Sequence, residues 1–194
     1  MRVDMPKADL KLAPSEAILG PSTLIYEGNE MNFQGQLDNL IAYALRDELL
    51  TGTLDFSSPR LDLLALAGEE STEAASESED TTAMTVIRLP ENIDFVLNAK
   101  IDSLLYDNIQ IANLNGKIRL KEARASMEDV TMNMLGGKLS TSGDYNSKPE
   151  MPTANFRFAI QGFSFKESYR SLDMVKQIAP IMENMEGNYD MALD

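Results

Sequence analysis

The side chains of this 194-residue chain best suited to chemistry are its acids, with Asp62 and the adjacent pair Glu128-Asp129 the natural places to look for general acid/base work. Among 31 acidic residues such neighbours arise from composition alone, so they read as solvated surface. The chain contains no Cys and no His, which removes thiol nucleophiles, CxxC redox pairs, the common zinc sites and every His-dependent triad. Gly136-Gly137 is followed neither by the Lys-Ser/Thr of a phosphate loop nor by a helix start, and reads as part of a hairpin. Methionine is abundant, with Met127, Met132 and Met134 in one β-like segment and Met174, Met182 and Met185 near a helical one. Flexible thioethers fill cores and also line adaptable apolar grooves. The reading is therefore of a non-enzyme with no catalytic, cofactor-binding or metal-ligating residues and no cofactor.

A net charge of −14 repels phosphate backbones, and the absence of Trp with only 7% aromatic residues leaves little to stack bases on, so nucleic acid is not an expected partner. No run approaches the roughly 18 consecutive apolar residues of a membrane span, and Met1 to Leu10 is neither a signal peptide nor an anchor. The chain as given is expected to be soluble. Alternation is already running at Val3, Met5, Leu10 and Leu12, which suggests a fragment whose upstream portion is missing. Missing cysteine suits an oxidising compartment and many cytosolic proteins alike, so composition leaves the compartment open.

Apolar residues must be positioned by the elements that carry them, and here the dominant period is two. In IDFVLNAKI, Ile93, Phe95, Leu97, Ala99 and Ile101 share one face while Asp94, Asn98, Lys100 and Asp102 take the other. Asn98→Asp, on the polar face, is accordingly expected to be silent. Further short strands follow around Ile109 and Ile111, Ile118 and Leu120, Val130 to Met134, Leu139 to Asp144, and Phe156 to Ile160. Turns are expected at Asp107-Asn108, Asn115-Gly116, Gly136-Gly137 and Asn146-Ser147, giving an antiparallel meander. Two stretches have helical spacing. One is about 38–50, with Asp38 as its cap; the other is about 165–179, interrupted by Pro180. Between Ala67 and Thr85 six acids stand with no base and no aromatic, which predicts a disordered tether over 67–85. Without it the net charge is −14 + 6 = −8.

A shift of 108 residues superposes Leu10 to Asn39 on Ile118 to Ser147, matching Gly28 with Gly136, Gly35 with Gly143, Leu12 with Leu120 and Ala17 with Ala125. The expected fold is mainly β: a curved antiparallel sheet, half-barrel or groove-like, built from two similar β-rich repeats at 1–66 and 86–194 with one short helix each. The second repeat is expected to be cut short at its C-terminal strand, GNYDMALD. The candidate apolar lining of a groove or core is Phe95, Leu97, Ile101, Ile109, Ile111, Ile118, Leu120, Val130, Met132, Met134, Phe156, Phe158 and Ile160. The second helix, shorter than two stacked repeats, is expected to cap one end and leave this lining incompletely covered.

Residues 89–147 carry an LP-x-N-I-D entry, an L-x-Y-D-x-I-x-I-x-N-L-x-G-K-I hairpin and a GGKLSTSG turn, followed by a strand and the helix KESYRSLDMVKQI. With the preceding GQLDNLIAYALRDELLTGTLDFSSPRLDLLAL, nearly the whole chain resembles the C-terminal periplasmic region of AsmA-like proteins of the Bacteroidetes type. The resemblance implies a cell-envelope protein anchored in the inner membrane by an N-terminal helix that this chain lacks, with a periplasmic β-groove related to TamB and the bridge-like lipid transfer proteins. It further implies a non-catalytic part in phospholipid transport or outer-membrane biogenesis. Expected partners are a phospholipid or other acyl-chain ligand and envelope proteins, with membrane contact only through the anchor. The alternative is a structural or protein-interaction scaffold for outer-membrane protein assembly, with a closed core and no ligand.

Overall fold

The structure, a computed structural model, describes residues 3–13, 15–67 and 88–193. The segment expected to be a tether, 67–85, lies outside the described residues except for Ala67, which ends a helix. Alternating apolar and polar residues form β1 (Val3–Lys7), β2 (Leu10–Leu12), β3 (Glu16–Tyr26), β4 (Asn29–Asp38), β5 (Leu50–Ser58) and β6 (Leu61–Asp62). After the undescribed stretch come β7 (Ile93–Tyr106), β8 (Ile109–Lys121), β9 (Arg124–Met134), β10 (Gly137–Asn146), β11 (Thr153–Ser164) and β12 (Asn188–Leu193). All belong to one open, curved sheet in the order β1-β3-β4-β5-β7-β8-β9-β10-β11-β12, with β2 also on β3 and β6 also on β7. The mainly β fold read from the sequence is the fold observed.

Left-handed turns set the hairpins. Glu27 (φ 47°) and Gly28 (φ 79°) join β3 to β4, and Leu135 (φ 51°) and Gly136 (φ 79°) join β9 to β10 with nearly the same angles. Positive φ at both central residues matches the right-handed twist of the flanking strands, which is why glycine recurs at this point of each repeat. The repeat extends to register. Leu10↔Leu19 and Leu12↔Ala17 in β2–β3 become Ile118↔Met127 and Leu120↔Ala125 in β8–β9 when 108 is added to each number. The bulge between Leu19 and Ser22 of β3 falls, by the same shift, on the bulge between Met127 and Val130 of β9. Thus β1 and β2 together correspond to β8, β3 to β9 and β4 to β10.

The sheet departs from the expected meander along one edge of β7, where β5 (Leu50↔Ile93 through Ser58↔Ile101) and β6 (Leu61↔Leu104, Asp62↔Leu105) both run parallel to it. The chain leaves β5 at one end of the sheet, forms β6 and a helix there, and must return to the other end before β7 can start. Parallel neighbours need such a long crossover. Asn115-Gly116 is no turn: both residues lie inside β8, with Gly116 opposite Ala99. The actual turn after β8 is Glu122-Ala123, both with positive φ.

The helices are shorter and more numerous than expected. Helix α1 (Leu40–Arg46) starts later than residue 38 because Asp38 completes β4 and left-handed Asn39 (φ 66°) reverses the chain; Asp38 does not cap it. Helix α2 (Leu63–Ala67) comes from a segment for which no helix was expected. The expected single helix over 165–179 is two, α3 (Phe165–Ser171) and α4 (Asp173–Ile178), separated by extended Leu172 and followed by a 3-10 turn at Pro180–Asn184. Ser164 caps α3 by accepting the Glu167 amide, and Ser168, fully buried, shares a hydrogen bond with the Tyr189 hydroxyl at 3.0 Å.

Candidate functional site

Residues directly opposite each other on neighbouring strands project on the same face, so the registers decide which side chains meet. Phe95 faces Leu120 and Leu97 faces Ile118, which in turn face Ala125 and Met127 of β9. Met127 lies opposite Gly143, Val130 opposite Thr141, Met132 opposite Leu139 and Met134 opposite Gly137. Across β10, Gly143, Thr141 and Leu139 lie opposite Phe156, Phe158 and Ile160. Ile101 and Ile111 join Leu61, Leu104 and Leu114 in one cluster, and Ile109 continues the alternation of Ile111 beside Tyr106. All thirteen residues expected to line a groove or core therefore share one face. The first repeat adds Leu37, Phe33, Leu54 and Phe56 to it through β4–β5 and β5–β7.

This face is mostly half-buried. Ile101 and Val130 are buried, the other eleven expected residues are partly exposed, and Phe158 retains 37% of its accessible surface. Coverage is concentrated at the ends: Leu63 and Leu66 of α2 pack on the cluster around Ile101 and Leu104, while Phe163, Phe165 and Tyr189 stack where β11 runs into α3. Curvature has a local cause at Gly35 and Gly143, a matched pair on this face. A Cβ on Gly35 would lie 2.2 Å from the Thr53 carbonyl oxygen, and one on Gly143 would lie 2.3 Å from that of Asn155 and 2.4 Å from the Phe156 ring. Strands can crowd together on this side only where no side chain intervenes. Thr141, on the same face between Val130 and Phe158, has a buried hydroxyl without a hydrogen-bond partner among the described residues.

The opposite face is a network of polar and charged side chains. Asp94 accepts from Arg119 at 2.8 Å and lies 3.1 Å from Lys121 Nζ; Lys117 pairs with Glu128 at 3.0 Å. The hydrogen bond from Lys121, followed by that from Arg119, holds the Asp94 carboxyl below its ordinary value. Thr23 donates to Asn32, while Gln34 and Asn98 both donate to Asp55, at 3.2 and 2.8 Å. Asn98 is thus not a silent position. Asn98→Asp would set a second carboxylate against Asp55, and the expectation of no effect is withdrawn. A hollow of about 420 Å³ is bordered by Lys7, Asn32, Asp55 and Asn98 together with Phe33 and Phe56, and its Asn32, Asp55 and Asn98 side chains are already hydrogen-bonded to neighbours.

Sequence reasoning missed the cluster of Leu61, Leu63 and Leu66, because a dense apolar run gives no period from which to choose between strand and helix. Among the described residues no group of His, Cys, Asp or Glu converges to hold a metal ion, and no helix is long and apolar enough to cross a membrane. No protein-family model, curated protein or solved structure matches the chain.

Proposed function

We propose that this chain is a non-catalytic module of an AsmA-like envelope protein, acting on the periplasmic side of the inner membrane, whose apolar sheet face accommodates the acyl chains of a phospholipid. The observation that carries this reading is the segregation of the two faces. One side runs as partly exposed aliphatic, aromatic and thioether side chains from Phe33 to Ile160, and the other is ion-paired and hydrogen-bonded. A continuous exposed apolar surface is costly in water, and covering it with an acyl chain gains roughly 0.8 kcal/mol for each methylene buried. Thioethers at Met127, Met132 and Met134 can adapt to chains of differing unsaturation.

Native mass spectrometry of the chain purified from cells, with a photo-crosslinking residue placed at Phe158 for capture in the envelope, tests this directly. Co-purified phospholipid and a lipid adduct at position 158 are expected, both reduced in Met132→Asp. A lipid-free chain with no adduct would sink the reading, and capture of one discrete protein at position 158 would replace it with the scaffold role.

A further inference from the structure

On the polar face, where β8 turns into β9, a hollow of about 430 Å³ is bordered by four bases, Arg119, Lys121, Arg124 and Lys148, and by one acid, Glu122. This reverses the balance of a chain with 17 bases and 31 acids. Lys121 and Arg124 stand directly opposite each other across the β8–β9 pair, and like charges so placed cost stability. Carboxylates offset it only in part: Asp94 is shared between Arg119 and Lys121, Arg124 lies 3.8 Å from Asp144, and Lys148 lies 3.5 Å from Glu91. Ser126, opposite Arg119 on one side and Asp144 on the other, also borders the hollow, and its half-buried hydroxyl has no hydrogen-bond partner among the described residues. Asn146 accepts the Lys148 amide at 3.0 Å through its side-chain oxygen, which leaves its NH2 group to donate. The fold does not require these bases. With 108 subtracted, Lys121, Arg124, Ser126, Asn146 and Lys148 become Ala13, Glu16, Ile18, Asp38 and Leu40, and only Arg119 keeps a basic counterpart, Lys11. The backbone there is alike: the Ser147 amide donates to the Ala123 carbonyl at 2.9 Å as the Asn39 amide donates to that of Ser15 at 2.7 Å.

We propose that this hollow is a binding site for a phosphate monoester group, held by Lys121, Arg124, Lys148, the Ser126 hydroxyl and the Asn146 amide. A phosphate monoester brings close to two negative charges and three acceptor oxygens, which this donor set can engage together, whereas a carboxylate would leave part of it unused. The frame is braced before any ligand arrives. The Ala123 amide donates to the Pro90 carbonyl at 3.1 Å, and the Arg88 guanidinium donates to the carbonyls of Pro149 and Glu150 at 2.7 and 2.8 Å, so little ordering is left to oppose binding. The negative charge of the rest of the chain acts weakly here, because exposed charges more than about 10 Å apart are largely screened at physiological salt. Glu122, the one bordering acid, holds the affinity down.

Isothermal titration calorimetry of the full chain with inorganic phosphate and with glycerol phosphate tests the site. Saturable binding of both is expected, weakened about tenfold by Arg124→Gln and a few-fold by Ser126→Ala, and tightened a few-fold by Glu122→Gln, with circular dichroism spectra unchanged. Lys138→Gln, which removes a base elsewhere on the same face, should leave binding as it is. Sedimentation with phosphatidylcholine vesicles that contain phosphatidic acid separates the sources of the group. Pelleting that is lost in Arg124→Gln assigns it to a lipid headgroup at a membrane surface, and no pelleting with glycerol phosphate still bound assigns it to a soluble ester. No saturable binding, or equal weakening by Lys138→Gln and Arg124→Gln, overturns the proposal. Lipid capture at position 158, on the other face, is independent of all these readings.

Discussion

Residues 3–38 and 111–146 share turns, bulge position and register, yet one segment lies at the border of the sheet and the other in its interior. Leu12 and Leu120 hold corresponding positions and differ in exposure because Leu120 has a strand on both sides, β7 and β9, and Leu12 has only β3. Register is therefore set by local chemistry that both copies carry: the left-handed pair before each glycine turn, and an extra residue at each bulge. Burial is set by what lies alongside. The bulge shows how loosely local chemistry binds residue identity, since Gly20-Pro21 forms it in one copy and Glu128-Asp129, with Asp129 at φ 50°, in the other.

The widest separation between the copies should come from one substitution made twice. Leu120→Asp puts a carboxylate against Phe95 in a half-buried row and should destabilise by about 3 kcal/mol, from lost packing and charge burial. Leu12→Asp at the corresponding exposed position should cost no more than about 0.5 kcal/mol. Urea unfolding midpoints for the two variants would make the comparison. Equal losses would mean that β7 does not distinguish the copies.

That contrast also marks what was legible in the sequence. Alternation grouped the apolar residues within each short run, and the shift of 108 found both glycine pairs, because periodicity and turn chemistry act over a few residues. That Ile109 and Ile111 share a face with Ile118 and Leu120 of the same strand depends on the irregularity around left-handed Asn113, which alternation does not show. The parallel step from β5 to β7 was not legible, since it depends on where a long connection brings the chain back. Asn115-Gly116 has the composition of a hairpin turn, but neighbours on both sides, β7 and β9, keep it inside a long strand. The end of β4 was hidden for a similar reason: Asp38 is a good cap by type, yet its pairing with Thr51 and Glu16 keeps it in the sheet.

Smaller effects should follow from the matched positions on the apolar face. Gly35→Ala and Gly143→Ala each drive a methyl into the backbone of the next strand, and each should cost about 2 kcal/mol, with similar values in both copies. A large inequality in thermal unfolding would mean that the sheet yields more easily in one repeat. The corresponding pair Phe33 and Thr141 should behave differently, because only Thr141 brings a buried hydroxyl without a partner. Thr141→Val keeps the shape and removes that group, so a gain of about 1 kcal/mol is expected in the unfolding free energy. A loss would show that the hydroxyl is satisfied in solution.

The smallest expected difference is electrostatic and depends on pH. Asp94 has its pKa lowered, first by the hydrogen bond from Lys121 and then by Arg119, whereas the first repeat has Lys11 and Ala13 in the corresponding places with no such acid. A carboxyl whose folded pKa lies below its unfolded value binds a proton more readily when unfolded. Its contribution is therefore complete above the unfolded value and fades as pH falls through the folded one. The pairs are at the surface and screened by salt, so Asp94→Asn should cost only about 0.2 to 1 kcal/mol at pH 7. The cost should shrink as the pH is lowered below the ordinary carboxylate range and fall further in high salt. Urea titrations of both proteins at neutral and acid pH would test the sign: a difference that grows on acidification would show that Asp94 is not held charged by Lys121 and Arg119, and would remove the charge difference between the two β-edges.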